Sequence, residues 1–326
     1  MFRKIVCVLV LISLALVLFV CPNCRSCRRG DEEFSVALIL GPGGKDDKSY
    51  NAMVWNGANR AAQEFGLIID EFMVMNEKEG LDALYKCVKG DYDMVIVAPR
   101  FLNQYIGAVA GDNTGIDFLV FDSEVRAENV FSCIFDAYAG GYLVGVVSAM
   151  KSEGEPLGFI APDRSEYIQN LYRGYTEGAE GIFTGIEIKY KAFGRESMMA
   201  DEKAGEQLAC ELYDSGVKVI FAPIGMAGVG VFKEAKERGR LAVGCDANQN
   251  YIEPGYVLTS LVRDIDAIVY QAIIDAFKGE LKGGLFYYGI SGGWLDIAID
   301  ESNRDLFDEV MLEKVEQVKA VLRERV

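Results

Sequence analysis

The chain has 326 residues, 49 acidic against 33 basic side chains for a formal net charge of −16, and no histidine. An acidic surface with its basic residues scattered rather than striped repels phosphate backbones, which excludes nucleic acid as a partner. Hydrophobic residues make up 51% of the chain, enough for a large core, and its length exceeds one domain's usual share, so two lobes are expected.

The first residues, Met1-Phe2-Arg3-Lys4, are basic, residues 5–20 are apolar, and Cys21 follows directly. That is signal-peptide grammar, and the apolar run is shorter than the roughly 20 residues a helix needs to span a bilayer. A cysteine at this place suggests a bacterial lipoprotein, with residues 1–20 as leader, the Cys21 thiol carrying lipid, and 21–33 as a linker. Phe19 and Val20 are bulkier than the small residues usual there, so Cys24 and Cys27 are rival attachment points. Cys21, Cys24 and Cys27 also have metal-ligand spacing, but a zinc or iron–sulfur site wants a fourth ligand and the next cysteine is Cys87; no metal is expected. Cys87, Cys133, Cys210 and Cys245 lie in or beside apolar stretches and are expected to pack as small hydrophobes rather than form disulfides.

From Phe34 onward, short apolar runs alternate with amphipathic segments of helical length. Strands are predicted over 35–40, 94–97, 118–121, 130–134, 157–160, 187–191, 219–221, 241–244 and 257–261, and helices over 52–65, 80–88, 139–150, 168–179, 200–215, 228–236, 265–278 and 306–325. Near-continuous apolar strands alternating with helices indicate parallel sheets covered on both faces. Between the first strand and helix lies Gly41-Pro42-Gly43-Gly44-Lys45-Asp46-Asp47-Lys48-Ser49-Tyr50-Asn51. Its glycines offer backbone N–H groups, Ser49 and Asn51 are candidate helix caps, and Tyr50 presents a ring at the mouth of a pocket.

In such sheets ligands bind beyond the carboxyl ends of the strands. That rule picks out Asp122, the loop Pro223-Ile224-Gly225-Met226-Ala227-Gly228, Asp246 and Arg263. Taken singly, an aspartate after a strand is more often a cap or turn former; four polar strand ends in sequence order point to a pocket.

At these residues the chain resembles the basic membrane lipoproteins, or purine nucleoside receptors, which are substrate-binding components of ABC transporters. The likeness is carried by Asp46-Asp47-Lys48-Ser49-Tyr50-Asn51 with Trp55 and Gly57, Val120-Phe121-Asp122, Phe135 with Gly141-Tyr142-Leu143-Val144-Gly145, Leu212-Tyr213-Asp214-Ser215-Gly216-Val217, Gly228-Val229-Gly230, Gly244-Cys245-Asp246 and Leu258-Thr259-Ser260. The resemblance implies an α/β type I periplasmic-binding-protein fold: two doubly wound parallel-sheet lobes, 34–137 with 264–291 and 138–263 with 292–326, joined by a hinge of three crossovers near Ala137, Arg263 and Gly292. It further implies that Tyr50 and Phe193 hold a nucleoside's base between them, that Asn51 and Asp122 read its edge, and that Asp246 accepts from the ribose hydroxyls near the Gly225 backbone.

The chain departs from the family pattern in three places. Gly41 stands where the family has an aspartate, Arg263 where it has a lysine, and Met226 where it tends to have glycine. At Gly41 one base-edge acceptor is missing, so the pattern points to nucleoside-like binding more firmly than to purines, and Met226 narrows its side of the pocket. Arg263 offers a planar fork that suits two hydroxyls, a carboxylate or a phosphate equally.

The implied function is capture of a purine nucleoside or related small molecule by closing lobes. Delivery to an ABC permease and its ATPase would follow, from a monomer held at the membrane by its lipid, facing periplasm or exterior, without cofactor or catalysis. An enzyme is disfavoured: Gly41-Pro42-Gly43-Gly44 fits neither dinucleotide nor P-loop spacing, and histidine, the commonest general base, is missing. Sensing or surface adhesion with a sugar or another nucleoside-like ligand stays open as the alternative.

Overall fold

The computed structural model describes residues 33–193 and 199–324; the leader and Cys21, Cys24 and Cys27 lie outside them. The first sheet collects β1 (Ser35–Leu40), β2 (Ile68–Met73), β3 (Met94–Val97), β4 (Asp117–Phe121), β5 (Val130–Phe135) and β11 (Gly284–Tyr288) in the order β11-β5-β4-β3-β1-β2. All its pairings are parallel. The second collects β6 (Leu157–Ala161), β7 (Ile188–Ala192), β8 (Val219–Phe221), β9 (Leu241–Asp246), β10 (Val257–Arg263) and β12 (Leu295–Ile297) in the order β12-β10-β9-β8-β6-β7, parallel except where β12 joins β10. The helices are α1 (Tyr50–Phe65), α2 (Glu77–Lys89), α3 (Asn103–Asp112), α4 (Ala137–Ser152), α5 (Glu166–Glu180), α6 (Glu202–Asp214), α7 (Ala227–Glu237), α8 (Ile265–Lys278) and α9 (Glu309–Arg323).

The period of two along a strand divides each central strand between two cores. In β1, Val36, Leu38 and Leu40 join one apolar cluster while Ala37 and Ile39 join another on the opposite face. In β8, Val219 and Phe221 face one cluster and Ile220 the other. The continuous apolar runs are therefore required, because both faces of each sheet are covered by helices. Three strands and one helix have no counterpart in the sequence reading. Strand β2 is an edge strand with mostly exposed residues, so Ile68-Ile69-Asp70-Glu71-Phe72-Met73 lacks an apolar run. Strand β11 is likewise a half-covered edge, β12 has only three residues, and α3 contains two glycines that weaken a helical pattern.

The chain passes between the sheets at Asp136, between β5 and α4; at Asp264, between β10 and α8; and over residues 289–294, between β11 and β12. Helix α4 packs against α5 at a distance that only glycine allows. A Cβ on Gly141 or Gly145 would meet the carbonyls of Leu171 and Tyr175 at 2.0 and 2.1 Å, and one on Gly174 or Gly178 those of Tyr138 and Tyr142 at 2.1 and 2.2 Å. Four glycines at i, i+4 spacing thus press two backbones together and fix the start of α5 beside the first crossover. Of the four described cysteines, Cys87, Cys133 and Cys245 are buried thiols; Cys210 is only half-buried, lying beside Arg238 and Asp214, which corrects the expectation of a packed core residue.

Candidate functional site

The loop after β1 is organised by Asp47, a buried carboxylate at 1% exposure. Its Oδ1 accepts from the N–H groups of Ser49 and Ala52, and its Oδ2 from the N–H and Nδ2 of Asn51. Asp47 therefore serves the first turn of α1, and neither Ser49 nor Asn51 caps it as the sequence suggested. Burial pushes the Asp47 carboxyl above its ordinary value, against the pull of these donors. The Asn51 amide is used within the same lobe, its Oδ1 accepting from Gly41 N at 2.8 Å. Ser49 Oγ reaches across to the second lobe, 3.0 Å from the Cys245 carbonyl and 3.1 Å from Asp246 Oδ2.

At the centre, three strand ends converge. Arg263, closing β10, is 1% exposed; its Nη1 donates to Asp122 Oδ2 at 2.8 Å, and its Nη2 and Nε donate to Asp246 Oδ1 at 2.7 and 2.8 Å. Burial would lower the guanidinium's pKa, but the two carboxylates outweigh it and hold Arg263 well above its ordinary value. Asp122 and Asp246 both take left-handed backbone conformations, φ 54° and 72°. Such turns at strand ends are costly for residues with a Cβ and cluster at functional sites. Tyr50, Phe135 and Tyr167 surround the guanidinium, with ring centres 5.3, 4.9 and 4.9 Å away.

A second ion pair spans the lobes. Arg100, just after β3, donates from Nη2 to Asp163 Oδ2 at 2.9 Å, and its Nη1 stands 3.8 Å from Asp122 Oδ2. Burial alone would raise the Asp163 carboxyl; the Arg100 charge and the Ser165 contacts outweigh it and hold the group below its ordinary value. With Gln249 Nε2 donating to the Lys48 carbonyl at 3.1 Å, four polar links tie lobe to lobe.

Two cavities flank this constellation. One, of about 50 Å³, is lined by Gly41, Pro42, Tyr50, Asn51, Arg100 and Met199, among others. The other, of about 850 Å³, lies on the hinge side, between the ends of β4 and β5, the start of α5 and the residues after β11. Asp122, Arg100, Asn103, Phe135, Tyr167 and Tyr288 are among its walls.

Of the residues singled out from sequence, Asp122, Asp246 and Arg263 come together, and Tyr50 lies against the arginine. Tyr50 packs edge-on against Phe121 and donates its hydroxyl to the Ala98 carbonyl. Phe193 is 7% exposed, inside the second lobe's cluster with Ile160 and Ala204, and lines neither cavity. Gly225 (φ 59°) faces the Asp47 carboxylate across the lobes and the Met199 carbonyl within its own lobe; it too lines neither cavity, nor does Asp246. Arg100, Asn103, Asp163 and Tyr167 were not anticipated. Arg100 and Asp163 follow strands within three residues, so the strand-end rule, applied to every strand, would have found them. No grouping of side chains suited to a metal ion occurs among the described residues.

A family model described as ABC transporter substrate-binding protein, PnrA-like, matches residues 34–326. The chain belongs to this Bmp family. It is 24% identical over 307 residues to an ABC transporter nucleoside-binding protein of Lactococcus lactis, covering 87% of each chain. It is 27% identical over 308 residues to an uncharacterized lipoprotein of Pyrococcus furiosus, covering 89% of this chain and 76% of that one. Among solved structures, a solute-binding protein of an ABC transporter system from Aeropyrum pernix superposes with a TM-score of 0.83 at 23% identity, covering 89% of this chain and 91% of that one. The fold is that of type I periplasmic solute-binding proteins, and this Bmp protein is a substrate-binding protein rather than an enzyme. Family membership implies a small-molecule ligand and permease partners. No helix among its described residues is long and apolar enough to cross a membrane.

Proposed function

We propose that this Bmp protein captures a nucleoside between its two lobes and presents the closed form to an ABC permease, held at the membrane by lipid on Cys21. The observation that carries the reading is the buried Asp122–Arg263–Asp246 constellation, in which one cation bridges carboxylates from opposite lobes beside three aromatic rings. Two carboxylates that share one arginine retain accepting capacity for hydroxyl and N–H donors, while the rings offer flat apolar faces. A ribose would engage Asp246 and a base Asp122. The lobes would move about the crossovers at Asp136, Asp264 and 289–294, and closing would exclude water and strengthen each hydrogen bond. A relative named as nucleoside-binding supports the ligand class, and relatives named as lipoproteins support the anchor.

A thermal-shift panel on the full chain in mild detergent tests the reading. A ligand at a hundred times its dissociation constant adds about 2.7 kcal/mol of stability. Nucleosides are expected to stabilise and pentoses alone to leave the melting temperature unchanged. Stabilisation by pentoses but not nucleosides would overturn it.

A further inference from the structure

The two arginines of the cleft each have a carboxylate beside them on their own lobe. Strands β3 and β4 are paired in the first sheet, with Val97 opposite Val120, and Arg100 and Asp122 lie just past their ends. Strands β9 and β10 are paired in the second, with Asp246 opposite Val262, so that Asp246 stands beside Arg263. Each arginine also bonds across the cleft. Arg100 reaches Asp163 Oδ2, just beyond β6, at 2.9 Å, and Arg263 reaches Asp122 Oδ2 at 2.8 Å. On the home side the two differ: Arg263 holds Asp246 at 2.7 Å, whereas Arg100 Nη1 stands 3.8 Å from Asp122, whose Oδ2 is taken by Arg263.

Arg100 and Asp122 keep unspent bonding capacity for each other. Arg100 Nε and Asp122 Oδ1 are both buried, and neither has a hydrogen-bond partner. Buried polar atoms are seldom left unpaired, because each forfeits its hydration for nothing, so a spare donor and a spare acceptor past adjacent strands of one lobe require an explanation. Burial opposes the Arg100 charge; Asp163 first and Asp122 second outweigh it and raise its pKa above the ordinary value. Glu124 and Glu166 border the same chamber but are exposed, and the Asp136 carboxylate accepts from Ala139 N as the cap of α4. Asp163 has a second hold that does not depend on Arg100, its Oδ1 accepting from Ser165 N at 2.8 Å at the start of α5. The Asp163 side chain is 19% exposed, so water takes the place of an arginine that leaves it; at Asp122, 0% exposed, a departing arginine strips the charge of its counter-ion.

We propose that the two arginines exchange carboxylates as the lobes move. Closed, Arg100 holds Asp163 while Arg263 bridges Asp122 and Asp246. Open, Arg100 turns back to Asp122 on its own lobe, Arg263 keeps Asp246 on its own, and Asp163 stays with Ser165 and water. Each arginine then has a carboxylate in both states. Opening becomes a change between two discrete arrangements of one set of charges rather than a loss of ion pairs, which lowers its cost. Arg100 is a positioning residue for that movement, acting through Asp122. The exchange rests on the lobe movement in the reading above and not on the identity of the ligand.

The test is fluorine NMR of the full chain in mild detergent, labelled with fluorotryptophan. The chain has two tryptophans, Trp55 in α1 and Trp294 on the third crossover. The Trp294 carbonyl accepts from Asp264 N, on the second crossover, at 3.0 Å, so its signal reports the hinge while that of Trp55 reports the fold. Asp163→Asn removes a closed-state partner and spares the open pair, so the open-to-closed ratio is expected to rise about fivefold. Arg100→Gln removes a partner from both states, and the ratio is expected to stay within about twofold of the unaltered protein or to fall. In an Asp122→Asn background the open pair is gone, and there Arg100→Gln is expected to raise the ratio about fivefold as well. A plain clasp predicts the same rise for Asp163→Asn and Arg100→Gln; that result, or an unchanged ratio in Asp163→Asn, would overturn the exchange. The Asp163 arm stands even where Arg100→Gln folds poorly, which a displaced Trp55 signal would reveal. A Trp294 signal indifferent to every substitution would remove the lobe movement and the exchange with it.

Discussion

The Tyr50 side of the cleft and its hinge side are built from the same kinds of residue yet are opposite in their bonding. Around Tyr50, Asp47, Asn51, Gly41 and the tyrosine hydroxyl bond one another or nearby carbonyls, and about 50 Å³ is left. Across Asp122, the chamber keeps about 850 Å³, and four of the residues around it each carry a buried polar atom without a hydrogen-bond partner. A fully satisfied network fixes the loop and resists change; an unsatisfied one lowers stability unless something else completes it. The difference assigns support of the loop to the first region and leaves the second looser and open, with the Asp122–Arg263–Asp246 constellation as the wall between.

The strongest challenge to this division is Arg263→Met. It leaves two buried carboxylates without their cation and is expected to cost about 3–5 kcal/mol in urea denaturation. A loss below about 1 kcal/mol would mean that the wall does not depend on the ion pairs. Next comes Asp47→Ala, which strips the first turn of α1 of its acceptor; about 2 kcal/mol is expected in the same assay, with no change in the size of the hinge-side chamber in a crystal structure.

Asp163→Asn weakens the link to Arg100, and a smaller loss, about 1 kcal/mol, is expected. Its pH dependence follows from the lowered carboxyl. A depressed folded value stabilises fully above the ordinary value of 3.8 and ceases to stabilise as pH falls through the lower folded value. The stability difference between wild type and Asp163→Asn should therefore shrink in acid below pH 3.8. A difference that stays constant there would show that the Asp163 charge is not what joins the lobes. The smallest effect sharpens the comparison most. Tyr167→Phe removes an unpartnered hydroxyl, so stability should change by less than about 0.5 kcal/mol or rise slightly, whereas truncating a satisfied hydroxyl would destabilise.

The interior of the fold was legible because strands buried on both faces must be continuously apolar, as β1, β3 and β8 are. Edge strands β2 and β11 escaped, since one-sided burial leaves no such run. In the site, Asp122, Asp246 and Arg263 could be read from their places at strand ends, but that they bond to one another could not. In sequence Arg263 is equally placed to meet a ligand, and only the converging strands show that it meets Asp122 and Asp246. The cap shows the same limit: Asp47, Ser49 and Asn51 are all capping types, and burial of the Asp47 carboxylate selects among them. Tyr167 lies inside a helix, where an aromatic residue reads as core, and its orphaned hydroxyl is a tertiary fact.

The most direct measurement is a crystal structure of the protein with guanosine. The account predicts the nucleoside between the lobes, its base against Asp122 and its ribose hydroxyls within hydrogen-bond distance of Asp246. Guanosine bound outside the space between the lobes, with neither Asp122 nor Asp246 in contact with it, would contradict it.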